Sequence, residues 1–171
     1  MPAAEKAAHF LELADAFHLP VVFLADNPGI MAGSRAERAG TLRAAARMYA
    51  AQARVRSPKL HVTLRKAFGF GSSLMAMNPF DTQTLTLAFP TATLGALPAA
   101  SGGAAAKLGD LDQAQLEGDQ AGGPWSSAES MAYDEVIDPR ELRNALLAGL
   151  ALSEGREAQA PEPARHTGIR P

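Results

Sequence analysis

Apolar residues recur at helical spacing near the start of the chain: Ala7, Phe10, Leu11, Ala14 and Phe17, with Glu5, Lys6, His9, Glu12 and Asp15 between them. That pattern predicts an amphipathic helix over residues 4–17, stopped by Pro20. Val21 to Ala25 is apolar throughout, so a short strand buried on both faces should follow. A helix running directly into a buried strand points to an α/β domain. Residues 26–30 form a turn cluster. Ser34 and Glu37 have the spacing of a capping box, opening a helix to about residue 53 that buries Leu42, Ala45, Ala46 and Tyr49. Past Ser57-Pro58, Leu60, Val62 and Leu64 alternate with His61 and Thr63 as a second strand. Residues 65–71 then read as a glycine-bearing loop into a short helix over 72–77.

Leu85, Leu87 and Phe89 alternate with Thr84 and Thr86, giving a third strand that stops at Pro90, and a short fourth is expected over 93–97. The stretch 99–123 has helical patches but weak periodicity. Capping boxes recur at Ser126/Glu129 and Asp138/Glu141, the second with Pro139 at the first helical position. Leu142, Ala145, Leu146, Gly149 and Leu150 form the inward stripe of a last helix. Residues 1–155 therefore read as one domain, and 156–171 as an extended proline-containing tail.

Composition narrows this picture. Alanine accounts for 36 of the 171 residues, so the 47% hydrophobic content overstates the large apolar side chains. Enough Leu, Val, Ile, Phe and Met remain to close one core. No apolar run exceeds about seven residues, against roughly 20 for a membrane span, and the start carries no signal pattern. A cytoplasmic address is the default expectation. With no cysteine, disulfides, thiolate nucleophiles and zinc fingers are excluded. Nine of the 16 basic residues lie between Arg35 and Lys66, where Glu37 is the only acid. Nucleic-acid binding would want aromatics interleaved there, and only Tyr49 is. A solvated helix face, a subunit contact, or an anionic cofactor such as a CoA phosphate fits that stretch better.

Conventional side-chain chemistry is scarce. The run Gly69-Phe70-Gly71-Ser72-Ser73 lacks the spacing of a serine nucleophile elbow, and helix capping is the readier role for Ser72 and Ser73. His9, His18, His61 and His166 show no metal-ligand pairing and read as structural or solvated. Asp26 and Asp81 have no near partner for paired acid–base work. What remains is backbone chemistry. Two loops, 27–32 and 68–73, each leave a strand and enter a helix, where amide N–H groups and the helix dipole favour an anion. Gly29, Gly69 and Gly71 permit close approach of a ligand. Oxyanion stabilisation and plain turn geometry are both compatible with this pattern.

At these loops the sequence resembles a known family, the C-terminal domain of biotin-dependent acyl-CoA carboxyltransferases, the β subunits of propionyl-CoA and related carboxylases. The resemblance is carried by Lys6-Ala7-Ala8-His9-Phe10, Asp15-Ala16-Phe17, Leu19-Pro20-Val21-Val22 and Asp26-Asn27-Pro28-Gly29-Ile30. It continues with Pro58-Lys59, Arg65-Lys66-Ala67-Phe68-Gly69, Phe89-Pro90-Thr91-Ala92 and Asp134-Glu135-Val136-Ile137-Asp138-Pro139-Arg140. It implies a crotonase-like α/β fold of repeated ββα units, incomplete at its N-terminus. It also implies transfer of a carboxyl group from carboxybiotin to the α-carbon of an acyl-CoA, with oxyanion holes in place of a side-chain acid or base. The backbone amides of Phe70 and Gly71 would form the biotin oxyanion hole, with Pro28, Gly29, Ile30, Gly69 and Ser73 as substrate-binding neighbours. Implied partners are an N-terminal carboxyltransferase domain on another chain, a biotin carboxyl carrier or biotin carboxylase subunit, and further copies in an oligomer. Two departures stand out. Gly69-Phe70-Gly71 replaces the Gly-Gly-Ala common in the family, so Phe70 must narrow the pocket or turn away, and Ser73 replaces an aspartate common in short-acyl members. A non-catalytic remnant or assembly module, or a decarboxylase of the same fold, are the alternatives.

Overall fold

The computed structural model describes residues 2–77, 83–101, 107 and 109–154. The expected tail, with His166, and also Asp81, lie outside the described residues. Helix α1 (Pro2–Ala16) leads into strand β1 (Val21–Asn27), and helices α2 (Ser34–Arg38) and α3 (Thr41–Arg54) return the chain to β2 (Lys59–Phe68). Next come α4 (Gly69–Leu74), β3 (Gln83–Ala88), β4 (Thr93–Gly95), α5 (Asp110–Ala121) and α6 (Trp125–Glu129). Strand β5 (Glu135–Val136), a 3-10 turn (Pro139–Glu141) and α7 (Leu142–Ser153) complete it.

All pairings are parallel, in the order β1-β2-β3-β5. Strand β2 is the spine: β1 runs along one edge, while β3 flanks Lys59–Thr63 and β4 flanks Lys66–Phe68 on the other. Strands β3 and β4 with α5 make one ββα unit. One face of the sheet packs on α1 and α3 through Leu11, Ala14, Phe23, Ala45, Met48 and Leu74. The other face packs on α7, where Val62, Leu87 and Ile137 meet Leu85, Leu142 and Leu146. Gly149 lets α7 close on the sheet, since a Cβ there would lie 2.7 Å from Leu60 Cδ2.

Several expectations are corrected. Phe10 on α1 and Phe17 just past its end are 61% and 72% exposed, while Glu12 and Asp15 are buried. Asp15 turns inward because its Oδ1 accepts from Arg56 N (2.8 Å), Ser57 N (2.8 Å) and Ser57 Oγ (3.0 Å), tying the helix end to the turn before β2. The burial of the two strands is exchanged. Strand β1 buries alternate residues and exposes Val22 and Leu24, because it is an edge strand beyond the reach of α7. Strand β2 is buried from Lys59 to Thr63 on both faces, so His61 and Thr63 point into a second core and not toward water.

The helix expected from Ser34 is broken at Gly40, whose left-handed φ of 77° α-helical L-residues avoid. Its N-cap is Gly33 with no side-chain cap, so the Ser34 box is not formed, and Leu42 and Ala46 stay exposed. The Ser126 box is likewise unused, because Pro124 is the N-cap of α6. Of the Asp138 box only the cap forms: Asp138 Oδ1 accepts from Arg140 N at 2.8 Å, while the Glu141 side chain makes no return bond to Asp138 N.

Candidate functional site

The stretch expected as a loop over 65–71 contains no loop. Strand β2 continues through Phe68, and α4 starts at Gly69. A direct strand-to-helix junction demands an abrupt change of backbone direction, which Gly69 supplies with φ 54°. A side chain there is also excluded by space, since a Cβ would sit 2.7 Å from the Ala96 carbonyl oxygen.

Because β1 and β2 are parallel and paired up to Asn27 and Ala67, their C-terminal ends open side by side. Clefts at the carboxyl ends of parallel strands are the usual ligand sites of α/β sheets. The two predicted loops meet there. A Cβ on Gly71 would lie 2.9 Å from Gly29 Cα and 2.7 Å from Asn27 Oδ1, so the backbones are in contact at a seam of two glycines. Phe70 turns away from this seam and rests on Tyr49 of α3, with ring centroids 5.4 Å apart. Pro28 is exposed at the rim, and Ile30 packs its side chain against the α1/α3 core. The first-turn amides of α4, which include Phe70 and Gly71, have no acceptor within their own helix.

Beside the seam lies a cleft of about 370 Å³, lined by Gly69, Ser72 and Ser73 of α4 and by Gly95, Asp119 and Ser126, among others. Ser72 and Ser73 do not cap α4, whose N-cap is Phe68. The hydroxyl of Ser72 is buried without a hydrogen-bond partner, as are both polar atoms of Asn27. Asn27 escaped the sequence reading as a site residue; its only signal is an amide side chain where a buried strand meets Pro-Gly. Asp26 pairs with Arg65 at 3.0 Å on the exposed surface, so it is not an isolated carboxylate.

The other end of α4 is fastened inside the protein. Gln52 Nε2 donates to the Leu74 carbonyl (2.8 Å), His61 Nδ1 to that of Met75 (2.5 Å) and Gln83 Nε2 to that of Ala76 (3.0 Å). His61 Nε2 lies 2.8 Å from Thr63 Oγ1, which lies 2.8 Å from the Tyr133 hydroxyl. With Nδ1 donating, Nε2 of the neutral ring must accept; Thr63 therefore donates to His61 and accepts from Tyr133. Desolvation lowers His61 to a pKa of about 4, against the opposing hydrogen bond to Met75, and raises Tyr133 to about 12. Both are neutral near pH 7, and His61 is structural. Among the described residues no group of three His, Asp or Glu is placed to hold a metal ion, and no helix is long and apolar enough to cross a membrane.

Residues 1–167 match the carboxyl transferase domain family. The chain belongs to that family. Its sequence is 37% identical over 156 residues to the uncharacterized carboxylase YngE of Bacillus subtilis (strain 168), covering 84% of this chain and 30% of that protein. It is 33% identical over 183 residues to the biotin-dependent acetyl-/propionyl-coenzyme A carboxylase beta5 subunit of Mycobacterium tuberculosis (strain CDC 1551 / Oshkosh), covering 98% and 33%. Among solved structures, the transcarboxylase 12S hexamer with hydrolyzed methylmalonyl-coenzyme A bound aligns with TM-score 0.80 and 31% identity, over 97% of this chain and 32% of that one. The fold is the crotonase-like α/β fold of these carboxyltransferases. The chain spans about a third of the length of the relatives it matches.

Proposed function

We propose that residues 1–155 are the biotin-facing C-terminal portion of an acyl-CoA carboxyltransferase. It would move a carboxyl group from carboxybiotin to the α-carbon of an acyl-CoA, together with an N-terminal domain from another chain. The observation that carries this reading is the seam of Gly29 and Gly71 at the C-terminal ends of β1 and β2, in a chain matched along nearly its whole length by the family. Biotin, carried on a partner protein, supplies a ureido group that holds and releases the carboxyl group. The site fits such a group: the cleft beside the seam falls in the size range of small-molecule pockets, about 300–1,000 Å³, and no side chain intrudes from Gly69 or Gly95 in its lining. The amides of Phe70 and Gly71 hold negative charge on the ureido oxygen. Gly29 and Pro28 form the facing wall, and Ser73 lines the cleft where the acyl chain is selected. The partners are a biotin carboxyl carrier subunit and further copies of the assembly, in the cytoplasm.

The test is carboxyl transfer from carboxybiotin to propionyl-CoA and acetyl-CoA by the full chain combined with its N-terminal counterpart. A backbone ester at Phe70, made by incorporating phenyllactic acid, replaces one N–H by oxygen without altering shape. Gly71→Pro is a poorer probe, because any Cβ there strikes Asn27 and Gly29. Loss of one oxyanion donor should lower kcat by about 10²–10³-fold. Transfer that is indifferent to the ester, or to omission of this chain, would refute the proposal and leave a remnant or assembly role. Release of CO₂ from a malonyl-type thioester without carboxyl transfer would point to the decarboxylase.

A further inference from the structure

Three consecutive carbonyls at the C-terminal end of α4 are each taken by a side chain from a different element: Leu74 by Gln52 of α3, Met75 by His61 of β2, and Ala76 by Gln83 of β3. Neighbouring α3, β2 and β3 therefore converge on one short helix, whose Leu74 also packs into the α1/α3 core. Its backbone closes in a Schellman arrangement, with Ala76 N bonded to Ser73 O (3.2 Å) and Met77 N to Ser72 O (3.1 Å). The left-handed residue of that arrangement is normally glycine, yet here it is Ala76 at φ 62° and fully buried. A strained alanine persists only where its surroundings over-determine it. The two glutamines concede something as well. Gln52 Oε1 and Gln83 Oε1 are buried without a partner while their amide groups serve α4. An arrangement that leaves two oxygens unsatisfied to bind three carbonyls is costly if α4 is mere packing.

We propose that Gln52, His61 and Gln83 are positioning residues that fix the pose of α4. Through that pose they set the amides of Phe70 and Gly71 against Gly29, together with the cleft wall formed by Ser72 and Ser73. The consequence for function rests on the biotin-facing reading given above; the clamp itself does not. A six-residue helix has too few internal bonds to hold its own direction. Tethering its C-terminal end from three sides fixes its N-terminal end in space, with Gly71 set against Asn27 and Gly29 at the seam.

The test uses the full chain labelled with ¹⁵N. Gln52→Met and Gln83→Met keep volume and remove the donor, and His61→Gln keeps a donor. Ile137→Val, in the α7 core away from α4, serves as a control for general destabilisation. Amide hydrogen exchange over residues 72–77, the Phe70 and Gly71 amide resonances, and titration with biotin methyl ester are compared across the set. We expect the two methionine variants to accelerate exchange in α4 at least tenfold beyond the control. They should also move both resonances and weaken the biotin ester threefold or more, with His61→Gln close to the parent. Exchange and resonances that change no more than in Ile137→Val would overturn the clamp. A parent chain that binds no biotin ester overturns the biotin-facing reading alone, because the exchange comparison still decides the clamp.

Discussion

Replacing Gly69 by alanine separates a glycine kept for the site's geometry from one kept by chance. Two costs add at this position. An L-residue held at φ 54° carries about 1–2 kcal/mol of left-handed strain. The new methyl would also sit 2.7 Å from the Ala96 carbonyl, a backbone atom that cannot swing aside, and overpacking of this kind costs about 1–3 kcal/mol. The sum is about 3 kcal/mol. At about 2–4 °C per kcal/mol for a chain of this size, Gly69→Ala should lower the melting temperature by about 6–12 °C. Gly118→Ala is the internal control, because it lies within α5 with nothing inside 4 Å of the added methyl. It should leave the melt unchanged or raise it, as alanine is favoured in helices by about 1 kcal/mol. Thermal unfolding followed by far-UV circular dichroism reads both. A Gly69→Ala protein melting within about 1 °C of the parent would show that the junction relaxes freely, and would remove the steric basis for a glycine at the β2–α4 junction.

The buried His61 makes stability depend on pH. Its pKa is about 4 folded against 6.5 unfolded, so the unfolded chain binds the extra proton first as pH falls. Its contribution is complete above pH 6.5 and is lost progressively between pH 6.5 and 4, by roughly 3 kcal/mol in all. Urea titrations from pH 7 to 4.5 should show that slope, and His61→Gln should flatten it. Asp15→Ala strands the buried Ser57 amide and hydroxyl and the partly buried Arg56 amide, and should cost about 3 kcal/mol in the same titration at pH 7. Phe17→Ser, at a position 72% exposed, should leave the melting temperature within a degree while reducing concentration-dependent association in size-exclusion chromatography.

Strands β1 to β4 were legible because their apolar runs are bounded by Pro, Gly and Asp; the two-residue β5 was not, nor was the burial of β1 and β2. Val21–Ala25 reads as two-sided because all five residues are apolar, but whether a strand lies at an edge depends on pairings far along the chain. His61 and Thr63 read as a polar face because the network that satisfies them ends at Tyr133, 70 residues on. In and just past α1 the aromatic rings of Phe10 and Phe17 outweighed Asp15 in the pattern, although the buried face is the one that holds the carboxylate. The two glycine loops were legible as a pair, and their contact at Gly29 and Gly71 follows from the parallel pairing of β1 with β2. The fastening of α4 was half-visible. Gln52 follows Ala45 and Met48 at spacings of seven and four, which places it on the buried helix face, but nothing local reveals that its partner is the Leu74 carbonyl.

Strand β1 ends the sheet, and among the described residues its outer edge has no neighbour. It contains no proline or lysine, and its one charge, Asp26, stands next to its last residue, while Val22 and Leu24 lie open on one side. An uncovered apolar edge of this kind templates further strands, including the same strand of another molecule. Handled as an isolated chain, the protein therefore meets its solubility limit at β1, at concentrations and temperatures where both cores on either side of the sheet remain intact.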